Sequence, residues 1–187
     1  MPVVRGYDVV ISAGHQGRPQ SCRLFPMHRC NLGAPGERAW TPVVAAAAAE
    51  VLRAHGVRVA LLPADYRGTY VVDAAVFVHF DGISPPCRSA ASVGYPSPRF
   101  ARAAQSWKRF YGERFPFGFR PDNFTVGLHH YYGYRQTRAR DGAFVLELGE
   151  ITCPRQRAWL APRLHWLGAE IAAWVSALIG KGKVPPP

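Results

Sequence analysis

The chain lacks any run of about 18 uncharged apolar residues, which excludes a membrane-spanning helix. Nor does it open on a basic segment, an apolar stretch and a cleavage site, so no secretory signal peptide is expected and the chain should be soluble. No internal repeat is visible, and neither GxxxxGK nor GxGxxG follows an apolar run, which argues against nucleotide binding. Acidic residues are scarce: 12 aspartates and glutamates face 23 lysines and arginines, for a formal charge of +11. That imbalance predicts attraction to a polyanion, whether nucleic acid, a membrane surface or an anionic wall polymer. The basic residues stand in ones and twos, so a diffuse positive face is expected rather than a basic arm. Cysteines number only four, Cys22, Cys30, Cys87 and Cys153, at spacings unlike a zinc knuckle. Cys22 and Cys30 are placed to pair across a short loop in an oxidising compartment; otherwise all four are expected as free thiols.

What is present is enough for one domain. With 187 residues and 48% hydrophobic content the chain can bury a core without staples. Tyr7 to Ser12 reads as a strand, followed by a Gly-, Pro- and Arg-rich excursion from Ala13 to Ala39 of the length usually reserved for function. Thr41-Pro42 is placed as the start of a helix running through the alanines to about His55. Val57 to Leu62 then completes a β-loop-α-β unit, which should be parallel and right-handed. Val71 to Phe80 is the third strand. Four prolines between Ser84 and Pro98 argue for loop. Arg99 to Tyr111 has helical apolar spacing with Phe100, Ala104 and Trp107 inward. The loop GERFPFGFRPDNF follows, and Val126 to Gln136, containing HHYYGY, reads as either a short helix or a ragged strand. Gly142 to Leu148 is the last strand. Pro154 to Ile179 is a closing helix, broken near Pro162, and residues 181–187 are expected as a flexible tail after a domain spanning 1–180. The fold class is α/β.

Three apolar runs end in a chemically capable side chain: VVISAGHQG, AAVFVHFDG and AFVLELGE. His15 and His79 each stand at a strand's end, His15 directly after Gly14 and His79 three residues before Gly82, where backbone turns and ligands approach. Glu147 lies inside an apolar strand, and a carboxylate there is costly unless a partner or cation compensates. Glu37 sits before the first helix. Two histidines and a glutamate with an open position form a recognised zinc sphere, and a nearby carboxylate such as Glu147 can then manage the proton of a water. Glu150 is expected to be solvated.

In order, ISAGHQG, GAPGERAW, VFVHFDG and FVLELGEITCP resemble the four signature stretches of zinc-dependent N-acetylmuramoyl-L-alanine amidases of cell-separation enzymes and phage lysins. The likeness covers nearly the whole chain. It implies a mixed sheet of about six strands flanked by helices, with the active site at the C-terminal strand edge. It also implies zinc held by His15, Glu37 and His79, with Glu147 as catalytic acid and base. The implied reaction cleaves the amide between N-acetylmuramic acid and L-alanine in peptidoglycan, and the positive charge suits anionic wall polymers. Arg18 and Arg38 are candidates to clamp a peptide carboxylate, and His129 or His130 to bond the oxyanion. The chain departs from the family in a short segment between Leu61 and Asp73, in Glu150 where an aromatic or apolar residue is usual, and in Cys153 where asparagine is common. A monomer acting on the wall is expected, and the compact length favours a lysin. Other readings are a zinc deacylase or carboxypeptidase-like enzyme on another small amide, and a basic nucleic-acid-binding or non-catalytic wall-binding module, although no specific nucleic acid is expected.

Overall fold

Every side chain of the strand Val9–Ala13 is buried, as a strand covered on both faces requires. It belongs to a computed structural model that describes residues 2–19, 22 and 31–187. The strands are β1 (Val3–Val4), β2 (Val9–Ala13), β3 (Val59–Leu62), β4 (Thr69–Asp81), β5 (Ser92–Gly94) and β6 (Thr137–Glu150). The helices are α1 (Glu37–Ala54), α2 (Ala101–Gly112), α3 (Val126–His129), α4 (Pro154–Leu160) and α5 (Leu164–Ile179). The six strands form one sheet in the order β3-β2-β4-β6-β5, with β1 beside β4. All pairs are parallel except β5 with β6. The mixed α/β sheet implied by the sequence is therefore present.

The period of two along each strand sorts the core into two layers. Val9, Ile11, Ala13, Val76, Val78 and Leu146 join a cluster with α1, α2 and α5, while Val10, Ala75, Phe77 and Val145 face Tyr66, Leu128, Tyr131 and Tyr134. Helices thus cover one face, and α3 with a tyrosine-rich 3-10 turn at Tyr132–Gln136 covers part of the other. The alanines of α1 let α5 come close. A Cβ added at Gly168 would lie 2.6 Å from Ala47 Cβ and 2.7 Å from the Val44 carbonyl oxygen, so only glycine fits that crossing. Around it Val44, Leu52, Leu167 and Ile171 are fully buried, each contributing about 2 kcal/mol.

Several expectations change. α1 begins at Glu37, four residues before Thr41-Pro42, and Pro42 lies inside it. The reason is local: Gly36, at φ 97°, turns the chain into the helix, and Thr41 Oγ1 donates to the Gly14 carbonyl at 2.6 Å instead of capping. The Pro-rich stretch contains β5, whose three residues lie between Pro86 and Pro96 and are too few to show alternation. Val126 to Gln136 is the short helix α3, capped by Thr125 Oγ1, followed by the 3-10 turn. The closing helix breaks at Ala161–Arg163 as expected. Within the stretch read as a flexible tail, Lys181 Nζ is 2.7 Å from both Asp8 and Asp73, and Val184 is buried with its N–H on Ser176 Oγ.

Cysteine chemistry also differs. Cys87 and Cys153, 66 residues apart, form a disulfide, so they are not free thiols. The alternative pairing of Cys22 falls on Cys30, which lies outside the described residues. Glu150 is not solvated but fully buried. Its carboxylate accepts N–H bonds from Cys87 at 2.6 Å and Ser89 at 2.7 Å, and the Thr152 hydroxyl at 2.8 Å. Three donors compensate its burial, and together with the disulfide they tie the loop after β4 to the start of α4.

Candidate metal centre

β2 ends at Ala13, and His15 follows with φ 60°, a left-handed conformation uncommon outside glycine that histidine adopts more readily than most residues. It carries the imidazole over the end of β4, where His79 projects. Gly14 makes the approach possible: a Cβ there would lie 2.5 Å from His79 Cε1. Glu37 enters from the first turn of α1. Gly33 clears space for it, since a Cβ would lie 2.2 Å from Glu37 Oε2 and 2.6 Å from His15 Cδ2. His15 Nε2 and His79 Nδ1 stand 3.3 and 2.9 Å from Glu37 Oε1. One ligand atom from each of the three buried residues lies within 4.8 Å of the others, a grouping that can hold a metal ion.

Hydrogen bonds behind the imidazoles decide which nitrogen faces inward. The Ala64 carbonyl can only accept, so Tyr132 donates to it at 2.6 Å, and Tyr131 donates to Tyr132 at 3.2 Å. The Tyr131 oxygen is then left to accept from His79 Nε2–H at 3.0 Å. Burial pushes the Tyr131 hydroxyl well up, so it remains a neutral donor. With the proton on Nε2, the lone pair of His79 is on Nδ1, toward Glu37. His15 Nδ1 faces two groups, the Asn31 carbonyl at 3.0 Å and Arg18 Nη1 at 3.1 Å, and Arg18 also donates to that carbonyl at 2.9 Å; with Nδ1–H on the carbonyl, the His15 lone pair is on Nε2, toward Glu37. Two nitrogen lone pairs and a carboxylate at such separations repel one another unless positive charge sits among them. This donor set therefore fits a divalent cation, and His2Glu is a set that zinc takes with a fourth position open.

Electrostatics sharpen the picture. Burial alone would raise the Glu37 carboxyl, but without a metal a protonated imidazole at His15 or His79, donating to it, outweighs burial and holds it well below the usual range. Glu37 Oε1 also accepts the Phe80 N–H at 3.1 Å, and Oε2 accepts that of Ala34 at 2.8 Å. Burial pushes His79 down, toward the neutral form that ligates. Glu147 stands across from His79 in the β4–β6 register. Burial first, then the negative charges of Glu37 and Asp81, push its carboxyl well up. Its Oε2 is buried without a hydrogen-bond partner among the described residues.

Two cavities of about 510 and 590 Å³ meet at this cluster, sharing His15, Asn31, His79 and Glu147. Together they make one groove with the cluster at its waist. The four residues singled out for metal and proton chemistry are thus brought together. Of the others, Arg18 and His130 line the first cavity, whereas Arg38 and His129 line neither. Arg18 is buried and its guanidinium is engaged by Asp65 at 3.1 Å. Sequence reading missed Tyr131, Asn31 and Arg135. The HHYYGY run signalled the first only as an aromatic cluster.

If Tyr131 orients His79, Tyr131→Phe should weaken metal binding about tenfold with the fold intact. Competition against a chromophoric chelator reads this directly, and unchanged affinity would dismiss the orienting role.

The sequence matches no protein-family model and no curated protein. Solved structures do resemble it. Ami1, an N-acetylmuramyl-L-alanine amidase from Mycobacterium smegmatis, superposes with a TM-score of 0.69 at 17% identity, covering 94% of this chain and 98% of that one. The catalytic domain of the CD27L endolysin targeting Clostridia difficile gives 0.66 at 15% identity, covering 94% and 98%. Cwp6 from Clostridium difficile gives 0.65 at 17% identity, covering 92% of this chain, which spans only 29% of Cwp6. At these identities the likeness is one of fold, and the fold of this chain is the one found in solved N-acetylmuramoyl-L-alanine amidases.

Proposed function

We propose that this chain is a zinc-dependent N-acetylmuramoyl-L-alanine amidase acting on peptidoglycan. The observation that carries the reading is the meeting of His15, Glu37 and His79 within one small volume, with Glu147 opposite, at the waist of a groove on this fold. His15 Nε2, Glu37 Oε1 and His79 Nδ1 would hold the metal. Bound there, zinc supplies Lewis acidity to the scissile carbonyl and to a water molecule. Glu147 takes the proton of the attacking water as its oxygen adds to the carbonyl carbon of the lactyl amide. As the C–N bond breaks, the same carboxyl gives that proton to the departing nitrogen. The products are a muramyl carboxylate and a free alanine amino terminus. The elevated proton affinity of Glu147 suits a group that must both accept and release a proton. Tyr131 and Asn31 keep the imidazoles presenting lone pairs inward, and the groove gives an extended polymer a passage on both sides of the cluster. The Cys87–Cys153 bridge suits an oxidising compartment outside the cytoplasm, and the net charge of +11 suits an anionic wall.

Digestion of purified peptidoglycan tests the reading. New alanine amino termini should appear without new reducing sugar ends, stop on chelation and return with added zinc. Release of reducing ends, or chelator-resistant release of amines, would overturn it.

A further inference from the structure

The two arms of the groove differ in charge, and the difference assigns them. Among the described residues, the arm holding Arg18, His130 and Arg135 is lined by no acid except Glu147 at the waist. Among the described residues the other arm is lined by neither arginine nor lysine and carries Asp81 beside Ala34, Gly82 and Ile83. An amide substrate cut at the waist must send its peptide half one way and its sugar half the other. The sugar half is neutral and hydroxyl-rich. The peptide half carries carboxylates one residue beyond the alanine.

We infer, on the basis of the amidase reading above, that the basic arm is the peptide subsite and that Arg135 is the residue that anchors a stem carboxylate. Arg18 cannot serve as freely, because Asp65 and the Asn31 carbonyl already take its N–H groups. Arg135 is exposed and makes no ion pair among the described residues. Its backbone is nevertheless firmly placed. It belongs to the 3-10 turn Tyr132–Gln136, which is pinned by the Tyr132 hydroxyl on Ala64, the Tyr134 hydroxyl on Leu128 and the Gln136 amide on Tyr66. The same turn follows Tyr131, which orients His79, so anchor and metal centre share one support. Val126, 79% exposed on the lip of this arm, offers apolar surface where an alanine methyl would be covered. The guanidinium fork suits a carboxylate bound through two parallel N–H bonds.

Binding of the dipeptide L-alanyl-D-glutamate, compared with its diamide, tests this without turnover, since neither has a bond to the muramyl group. The zinc-loaded protein should bind the dicarboxylate about tenfold more tightly at low salt. Arg135→Gln should abolish that preference and leave diamide binding unchanged, and Arg135→Lys should restore part of it. Arg157→Gln, on an arginine stacked over Trp40 outside both cavities, should leave the preference intact. No preference in the parent protein, or a preference that survives Arg135→Gln, overturns the assignment. Hydrolysis of peptidoglycan is read separately: if it occurs with no carboxylate preference, only the subsite falls, and if it fails while the preference stands, the amidase reading falls.

Discussion

Glu147→Gln is expected to lower turnover of peptidoglycan about 10³-fold while the protein still binds one zinc and melts no earlier than its parent. Glutamine keeps the shape of the side chain but cannot take a proton from water. The folded state should not suffer, because the carboxylate is buried with Oε2 unpartnered among the described residues and its ionised form is disfavoured by burial and by Glu37 and Asp81. Replacing a group whose charged form is disfavoured there by a neutral isostere breaks no hydrogen bond at Oε2. Metal content separates this outcome from a loss of ligands, since His15, Glu37 and His79 remain. Activity within tenfold of the parent would mean that another group moves the proton, and Glu147 would then be only a neighbour of the metal site.

The second large effect is on stability. Replacing Cys87 and Cys153 together by serine should cost about 4 kcal/mol, the loop-closure contribution expected for a bridge spanning 66 residues. Cys87 is exposed, so a mild reductant should reach it and reproduce the loss in the parent protein. Turnover at a temperature where both proteins are folded should change little. The reason is that Glu150 keeps the same loop in place through the Cys87 and Ser89 N–H groups and Thr152. The bridge then acts mainly on the unfolded chain and Glu150 on the folded one. Denaturant midpoints with and without reductant measure the difference, and equal midpoints would show that the bridge contributes nothing.

What could be read from the sequence follows from range. His15, His79 and Glu147 were legible because a strand's apolar run and the break that ends it are local signals, and the structure puts all three at one edge of the sheet. The residue type of Glu37 was legible and its position was not: the helix starts on it because of a left-handed Gly36, whereas Thr41-Pro42 imitated a start. Glu150 looked like a solvated turn residue beside Gly149, yet its three donors include two from a loop more than 60 residues earlier. The partner of Cys87 was hidden by the same distance. β5 was too short to show a period, and Arg135 was one arginine among many until the groove set it apart from Arg38. Interactions that join distant segments leave no pattern in a linear string, and these are the ones that decided the groove.

The opposition of His79 and Glu147 on neighbouring strands has a consequence for how such a protein can change. In a parallel pair a slip of one residue would turn Glu147 to the far face of the sheet, so the opposition depends on the unbroken register from Ala74 to His79, with the irregularities of the pairing lying outside it. The groove walls are written elsewhere. Ile83 and Ser84 of one arm, and Thr125 to Leu128, His130 to Tyr132 and Arg135 of the other, belong to the segment between those two strands. Reactivity and selectivity are therefore inherited from separable stretches of chain. On the amidase reading, relatives could diverge in substrate by altering that connection, with the paired strands left untouched.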